Sequence, residues 1–359
     1  MSHSQQLYHT VYRRLQEGRP SERTTRLRTL SLVVTALSLA ASCSLTRLAD
    51  HLLVSGCKES RVQRLRRLFM HPRLAVRGCY RTTATAVLRS RGNARSVLLV
   101  DRTTVGNWRN SLTVSVASRG RALPLAWKVC KKQGQFRRCP VEARLRWVRT
   151  CLSTTSAPHQ RWVGGDRALQ DLAWQATVEH DRGWHSGQRL THNRWLVPPD
   201  GESFKPHQVA LQPGQHYRRA KVRVTQQHAG PACFVAYWAM GEPEPWYLRS
   251  AQPSTLQTLQ VYRRRFWTEP MYRDCKSSGW DLEASRLRDP HRLERWLLGI
   301  ALADVWRRQL ASAVIKRGNR ALVDRPARRT LSYFRSGWNW LLWRLDRGLS
   351  VELPDLLYV

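Results

Sequence analysis

The chain has 359 residues, of which 61 are Lys or Arg and 25 are Asp or Glu, so its formal net charge at pH 7 is +36. This excess is far beyond what solubility requires and indicates a polyanionic partner, with nucleic acid the first candidate. Hydrophobic residues make up 42% of the chain, which is enough for a packed core and excludes a disordered basic tail.

A membrane surface is the competing polyanion, but no myristoylation or prenylation motif is present. The apolar run from Leu30 to Leu45 is too short for a membrane span and is interrupted by serine and threonine, so we expect a buried helix. The eight cysteines include no C-x-x-C pair, which favours reduced thiols over a zinc ribbon or a disulfide framework. We therefore expect a cytoplasmic protein with no membrane contact.

Residues 1–90 are predicted to be helical and basic. Ser44 can cap a short helix, Ser55-Gly56 supplies a turn, and a second amphipathic helix follows. The pattern is similar to a helix-turn-helix unit, but this segment taken alone favours an ordinary helical hairpin with a solvated basic face. The second helix carries the candidate DNA contacts Arg61, Arg64, Arg66 and Arg67.

From Ser96 the pattern changes to strands. Val97 to Val100 is a continuous apolar run typical of a strand buried on both faces, and we expect it to end at Asp101. Residues 111–117 and 122–129 are predicted to form a hairpin around Ser118-Arg119-Gly120. A helix containing Val141, Leu145 and Val148 is expected next.

A second acid follows another short strand, because Arg161 to Gly165 leads directly into Asp166. A helix is predicted from about Ala168 to Glu179. Asp324 also follows an apolar run, but it lies in a helical region and precedes Arg325-Pro326, so we regard it as a decoy. Either strand-end aspartate alone would mean little, because such residues are also common caps.

Residues 184–246 contain Gly, Pro and short apolar stretches, which predict a β-rich insertion closed by a return strand at Trp246-Tyr247-Leu248. Residues 262–276 then read Y-R-R-R-F-W-T-E-P-M-Y-R-D-C-K. On one continuous helix Tyr262, Arg265, Glu269 and Lys276 would share an arc of roughly 60°. We expect Pro270 to kink or restart this helix, because proline lacks an N–H and clashes with the carbonyl four residues earlier.

Acids from two strands and a later helix are what a two-metal nuclease or strand-transfer site requires. Mg²⁺ prefers hard oxygen ligands, so Asp101, Asp166 and Glu269 could hold two ions about 4 Å apart. Tyr262, Arg265 and Lys276 are candidates for binding phosphate beside them. From the spacing alone, a solvated basic helix with one incidental acid is an equally good explanation of the 262–276 segment.

With these residues named, the chain resembles the bacterial cut-and-paste DDE transposases of the insertion-sequence-four type over roughly residues 96–310. The matching motifs are L-L-V-D-R-T around Asp101, V-G-G-D-R-A-L around Asp166, and the signature Y-x2-R-x3-E-x6-K from Tyr262 to Lys276. The downstream S-G-W-D-L-E-A-S-R-L-R-D-P is also typical of that group.

The resemblance implies an α/β fold with an RNase H-like catalytic domain at 91–276, consisting of a mixed sheet with flanking helices that is interrupted by the β-rich insertion at 184–246. A helical DNA-binding region at 1–90 and a helical region at 277–359 would flank it. It further implies dependence on two Mg²⁺ or Mn²⁺ ions, double-stranded DNA partners (the terminal inverted repeats and the target), and a homodimer. Trp246 is the candidate for stacking on a flipped base, with core packing as the alternative.

Three functions remain open from the sequence. The first is an active transposase that cleaves and joins DNA, and the second is a related endonuclease that cuts without joining. The third is a catalytically silent, transposase-derived DNA-binding protein. The intact set of three acids argues against the third.

Overall fold

The computed structural model describes residues 2–90, 96–131, 138–152, 161–165, 178–179, 183–224, 231–251, 253–277 and 279–351. Within these ranges nine strands form one mixed sheet with helices packed against it, which confirms the predicted α/β class. The helices are α1 His3–Gly18, α2 Thr24–Ala40, α3 Leu45–Asp50, α4 Lys58–Met70, α5 Val76–Arg89, α6 Arg138–Leu152, α7 Thr255–Arg263, α8 Thr268–Lys276, α9 Pro290–Lys316 and α10 Tyr333–Asp346. The strands are β1 Ser96–Val105, β2 Arg109–Ser118, β3 Arg121–Lys131, β4 Arg161–Gly165, β5 His185–Arg189, β6 Leu196–Val197, β7 His216–Val224, β8 Ala232–Tyr237 and β9 Trp246–Ser250.

The strand order is β3-β2-β1-β4-β5-β9-β8-β7-β6, in which β1, β4 and β5 run parallel and the other neighbours are antiparallel. The predicted hairpin of β2 and β3 is confirmed. Its two-residue loop, Arg119-Gly120, has φ of 48° and 79°. Two consecutive positive φ values are the geometry of a type I′ turn, whose twist matches that of antiparallel strands.

The strands at the centre of the sheet are buried on both faces, as the apolar run in β1 predicts. Leu98 and Val100 join the large core formed with the N-terminal and C-terminal helices. Val97 and Leu99 join a smaller core on the opposite face, which also contains Met271 of α8. Because side chains alternate along a strand, the residue two positions after Leu99, which is Asp101, belongs to the face covered by α8.

The N-terminal helices share their core with the C-terminal ones. The predicted buried helix is α2, and its residues from Leu30 to Ser38 are buried against α9 and other neighbours. A Cβ on Gly299 of α9 would lie only 3.1 Å from Leu37, which shows how closely these helices pack. A fragment starting near Ser96 would uncover this apolar surface, so point substitutions test the N-terminal region better than truncation does.

The described residues of 184–246 are β-rich, as predicted, and their strands extend the main sheet. β5 pairs with β4, and the expected return strand is β9, which pairs with β5. Arg249 of β9 is buried and forms an ion pair with Glu179, with 2.6 Å between its Nη1 and Glu179 Oε1. This contact joins the far end of the β-rich segment to the chain that precedes β5.

In the described part of the chain, no helix is both long and apolar enough to cross a bilayer. The cysteines described there are free thiols, and most of them are buried. Burial raises the pKa of Cys43 to about 12, so that thiol stays protonated at neutral pH.

Candidate active site

Asp101 lies inside β1 and is only 7% exposed. The expectation that the strand ends at this acid is wrong, because β1 continues to Val105 and Asp101 pairs with Thr113 of β2. The parallel pairing with β4, however, stops one residue earlier, at Val100 and Gly165. Asp101 is therefore the first residue of β1 after its pairing with β4 ends.

Asp166 lies outside the described residues, as does the helix predicted from about Ala168, apart from Val178 and Glu179. The predicted strand that precedes it is confirmed as β4. Gly165, the residue before Asp166 in the sequence, is the register partner of Val100, the residue before Asp101.

The 262–276 segment is not one continuous helix. α7 ends at Arg263, residues Arg264–Trp267 form a 3₁₀ turn, and α8 begins at Thr268. The cause is Pro270, which cannot donate to the carbonyl of Phe266, so the chain tightens and then restarts. Glu269 and Pro270 consequently occupy the first turn of α8, where both residue types are tolerated or favoured.

Thr268 joins α8 to Asp101. It is fully buried, and its hydroxyl donates a hydrogen bond to Asp101 Oδ2. The same hydroxyl lies 2.8 Å from the carbonyl oxygen of Arg265, and the Arg102 N–H donates to Asp101 Oδ1 at 2.8 Å. Our sequence interpretation did not identify Thr268, although a hydroxyl residue directly before the candidate acid was a visible signal.

Tyr272, one helical turn after Thr268, is a second residue that the sequence interpretation missed. Burial raises the pKa of its phenol well above the ordinary value, and the negative charge of Asp101 raises it further. The phenol therefore stays neutral beside the carboxylate. The i, i+4 spacing of residues 268 and 272 puts both on one helix face, which sequence analysis could have used.

Glu269 lies on the solvent side of the same turn, with its side chain 55% exposed. Its Oε1 is 3.5 Å from Arg265 Nη2, an ion pair between successive turns. Asp101 and Glu269 supply the hard carboxylate oxygens that a magnesium ion prefers, so their chemistry fits such an ion. Within the described residues, from which Asp166 is missing, no three His, Cys, Asp or Glu side chains form a cluster that could hold a metal.

The three candidate phosphate ligands occupy different environments. Tyr262 is buried at 1% exposure, and the Arg265 guanidinium packs 4.4 Å from the centre of the Phe266 ring. Lys276 is partly buried, and this burial lowers the pKa of its ammonium group although Glu283 opposes the shift. Although the helix is interrupted, Arg265 stays beside two other residues of the motif, because its guanidinium lies 5.9 Å from the Tyr262 ring centre and 3.5 Å from Glu269 Oε1.

Trp246 is 4% exposed and packs in an aromatic cluster. Its ring centre is 5.2 Å from that of Tyr262 and 5.6 Å from that of Phe266. This environment corresponds to core packing, the alternative that the sequence left open.

The four N-terminal arginines lie on α4, whose predicted apolar face is confirmed by the burial of Val62, Leu65, Leu68 and Phe69. Arg64, Arg66 and Arg67 are exposed and Arg61 is half-buried. Residues 51–57 connect α3 to α4. This connection is longer than the turn of about 3–4 residues that joins the two helices of a helix-turn-helix motif.

Asp324, the decoy, caps a turn. Its side chain is 1% exposed and accepts hydrogen bonds from the Arg325 and Leu331 N–H groups and from the Thr330 N–H and hydroxyl. Burial alone would raise its pKa, but these hydrogen bonds outweigh that effect and lower the pKa to about 2. Its role in the structure is therefore to hold the connection between α9 and α10.

We expect Asp324 to make stability depend on acid pH. Because its folded pKa is below the unfolded value near 3.8, its stabilisation is complete above pH 4 and is lost as the pH falls towards 2. Asp324→Asn should lower the free energy of unfolding by about 1–3 kcal/mol at pH 7. Thermal unfolding at several pH values measures this: the difference between wild type and variant should shrink on acidification, and a constant difference would contradict the assignment.

A scan against protein-family models finds no match for the sequence. A search of the curated proteins finds no match either. The described residues form a mixed α/β protein with a nine-stranded sheet. The buried aspartate Asp101 follows the last residue of β1 that pairs with the parallel strand β4.

Proposed function

We propose that the chain is a DDE-type DNA transposase with an RNase H-like core. The observation that supports this most is the placement of Asp101, which lies next to the end of the β4 pairing and accepts a hydrogen bond from the first residue of α8. This hydrogen bond joins residues 167 positions apart in the sequence, so it brings the segment that carries Asp101 into contact with the segment that carries Glu269. Asp166 directly follows the register partner of Val100.

In this proposal Asp101, Asp166 and Glu269 hold two Mg²⁺ or Mn²⁺ ions. When bound, these ions would activate a water or a 3′-hydroxyl and stabilise the leaving oxygen. Thr268 orients the Asp101 carboxylate, and the neutral phenol of Tyr272 keeps that side of the site free of a second charge. Arg265 balances the charge of Glu269 and, with Lys276, offers donors to the scissile phosphate.

The net charge of +36 supports double-stranded DNA as the partner. The substrates would be the terminal inverted repeats of a mobile element and a target duplex, bound by a homodimer in the cytoplasm. The order of reaction would be cleavage at the element's ends followed by strand transfer.

The test is to incubate the purified full-length protein with duplexes from both ends of the DNA element that encodes it, with Mg²⁺ or with EDTA. Nicked or hairpin products together with products joined to a target plasmid support a transposase. Nicks without joined products indicate the endonuclease alternative. Binding without any cleavage in Mg²⁺ or Mn²⁺ would indicate the silent DNA-binding alternative.

We expect Thr268→Val, which keeps the shape but removes the hydroxyl, to weaken metal binding. Loss of a partner that orients a metal ligand typically costs about 10- to 100-fold in metal affinity. Mn²⁺ titration monitored by the shift in melting temperature should therefore require at least about 10-fold more metal for the variant. Thr268→Ser, which retains the donor, should restore most of the affinity, and equal titration curves for all three proteins would contradict the role of Thr268.

A further inference from the structure

A basic cleft separates the start of α2 from α4, far along the chain from the acids. Its volume is about 690 Å³. The side chains that line it include the arginines at positions 23, 26, 61, 64 and 67 and the hydroxyl residues Thr25, Thr29, Ser55 and Ser60, with His71 at one end. Among the described residues that line it, none is acidic.

Two arginines of the cleft, Arg26 and Arg61, are held in place by residues outside its lining. Glu22 is 7% exposed, its Oε1 lies 2.6 Å from Arg26 Nε, and it also forms an ion pair with Arg19. Burial would raise the pKa of Glu22, but its hydrogen bonds with Arg26 and Arg23 outweigh burial and lower the pKa, so the carboxylate stays ionised. On the opposite wall, Arg61 Nη1 lies 3.4 Å from the carbonyl oxygen of Ala49.

The start of α2 adds to this positive potential. Its cap residue, Arg23, makes no side-chain capping hydrogen bond to this 17-residue helix, whose Arg26 N–H donates to the Arg23 carbonyl oxygen. The N–H groups of a helix's first turn and the helix dipole favour a bound anion. Together with five guanidinium groups and several hydroxyl donors, they make a surface suited to several phosphates in a row.

We propose that this cleft binds the sugar-phosphate backbone of duplex DNA. The inference rests on the proposed DNA substrate but not on catalysis. Three of the four candidate arginines of α4, at positions 61, 64 and 67, line the cleft, whereas Arg66 does not. Contacts to phosphate position a protein without selecting a sequence, so α4 anchors the duplex and does not read base edges as a recognition helix would.

The cleft residues suit a phosphate backbone better than a lipid surface or an exposed base. Val54 and Leu68 are the apolar side chains in its lining. Bases stack on large aromatic side chains, and the described residues that line this cleft include no Trp, Tyr or Phe, with His71 as the one aromatic ring. A membrane-binding surface would present an apolar face beside the charges, which the cleft lacks.

The experiment compares Arg64→Ala with Arg66→Ala in the full-length protein. Both arginines are exposed on α4, so the two variants lose the same charge from the same helix and should melt at nearly the same temperature. Binding to a labelled end duplex and to a shuffled duplex is measured by fluorescence anisotropy over a range of salt concentrations, in EDTA so that no cleavage occurs.

We expect Arg64→Ala to weaken binding to both duplexes equally and to reduce the slope of log affinity against log salt by about 1, whereas Arg66→Ala changes neither. Equal losses of DNA affinity in the two variants would contradict the cleft assignment and indicate that DNA contacts the basic surface of α4 without a defined site. A selective loss of preference for the end duplex would also overturn it, in favour of base reading. Binding to anionic phosphatidylserine vesicles is measured for the same proteins. If Arg64→Ala weakens vesicle binding but leaves DNA binding unchanged, the cleft binds lipid and the proposal is contradicted.

These outcomes are separable from the proposed function. If the wild-type protein binds duplex DNA and only Arg66→Ala weakens it, the cleft assignment fails while a DNA-cutting enzyme stands. If the wild-type protein binds neither duplex, the DNA substrate itself fails and the cleft assignment falls with it.

Discussion

Asp101→Asn should abolish DNA cleavage while leaving DNA binding intact. Asparagine keeps the size of the side chain, and its amide oxygen can still accept from the Arg102 N–H while its NH2 group donates to the Thr268 hydroxyl oxygen, but it removes a charge that a metal ion requires. Losing even an orienting partner of a metal ligand costs about 10- to 100-fold, so losing the ligand itself should exceed 100-fold in cleavage rate. Affinity for duplex DNA should stay the same or rise slightly, because one negative charge is gone.

The control is Asp200→Asn, which makes the same chemical change at a side chain that is 74% exposed and paired with Arg219. Cleavage rates, measured on end duplex with saturating Mg²⁺, should be unchanged in this variant. If Asp101→Asn cleaves at a wild-type rate, or if it loses binding as severely as cleavage, Asp101 is not a metal ligand for this reaction.

Arg308→Met should strongly destabilise the packing of the C-terminal helices. Arg308 and Asp304 of α9 are almost fully buried, and Arg308 Nε lies 2.9 Å from both carboxylate oxygens of Asp304, while Arg308 Nη2 lies 3.8 Å from Asp274 Oδ2 of α8. Removing one partner of a buried ion pair leaves an uncompensated charge and costs about 3–5 kcal/mol. We expect that loss in the free energy of unfolding, measured by urea denaturation at pH 7.

The pH dependence of this loss identifies its cause. Burial raises the pKa of Asp274, and Asp304 raises it further, while Arg308 and Arg121 oppose the shift. Without Arg308 the folded pKa of Asp274 should rise more, so the variant regains stability as the pH falls from 7 towards the ordinary aspartate value. If the decrease in the free energy of unfolding is the same at every pH, its cause is instead poor packing of the methionine at this position.

Two matched variants complete the comparison. Replacing both partners, with Asp304→Leu and Arg308→Met together, should recover much of the stability, because well-packed apolar groups often substitute for a buried pair at little cost. Lys58→Met breaks an exposed pair, with Asp50, whose side chains are 48% and 51% exposed, and should cost no more than about 1 kcal/mol. A similar cost for the exposed and buried pairs would contradict this account.

The Arg308 network also bears on the candidate site. Asp274 belongs to α8, and Arg121 Nε of β3 lies 3.1 Å from its carboxylate. These contacts fix the end of α8 opposite to Thr268. Loosening them should therefore reduce activity as well as stability, through the placement of Thr268 against Asp101.

The sequence by itself determined the local elements. The apolar run at 97–100 predicted a strand buried on both faces, the residues around Arg119-Gly120 predicted the hairpin, and the run from Leu30 predicted a buried helix. Each rests on side-chain periodicity or on turn chemistry, which act between residues close in the chain. For the same reason Pro270 correctly predicted a break in the 262–276 segment.

The tertiary structure alone decided how these elements meet. Asp101 lies within β1, not at its end, because β2 pairs with it beyond the last residue that β4 reaches. Its partner Thr268 lies 167 residues away, and Tyr262 and Trp246 are buried against each other although either could have faced solvent. Such placements depend on sheet order and on packing between distant segments, and short-range periodicity contains no information about either.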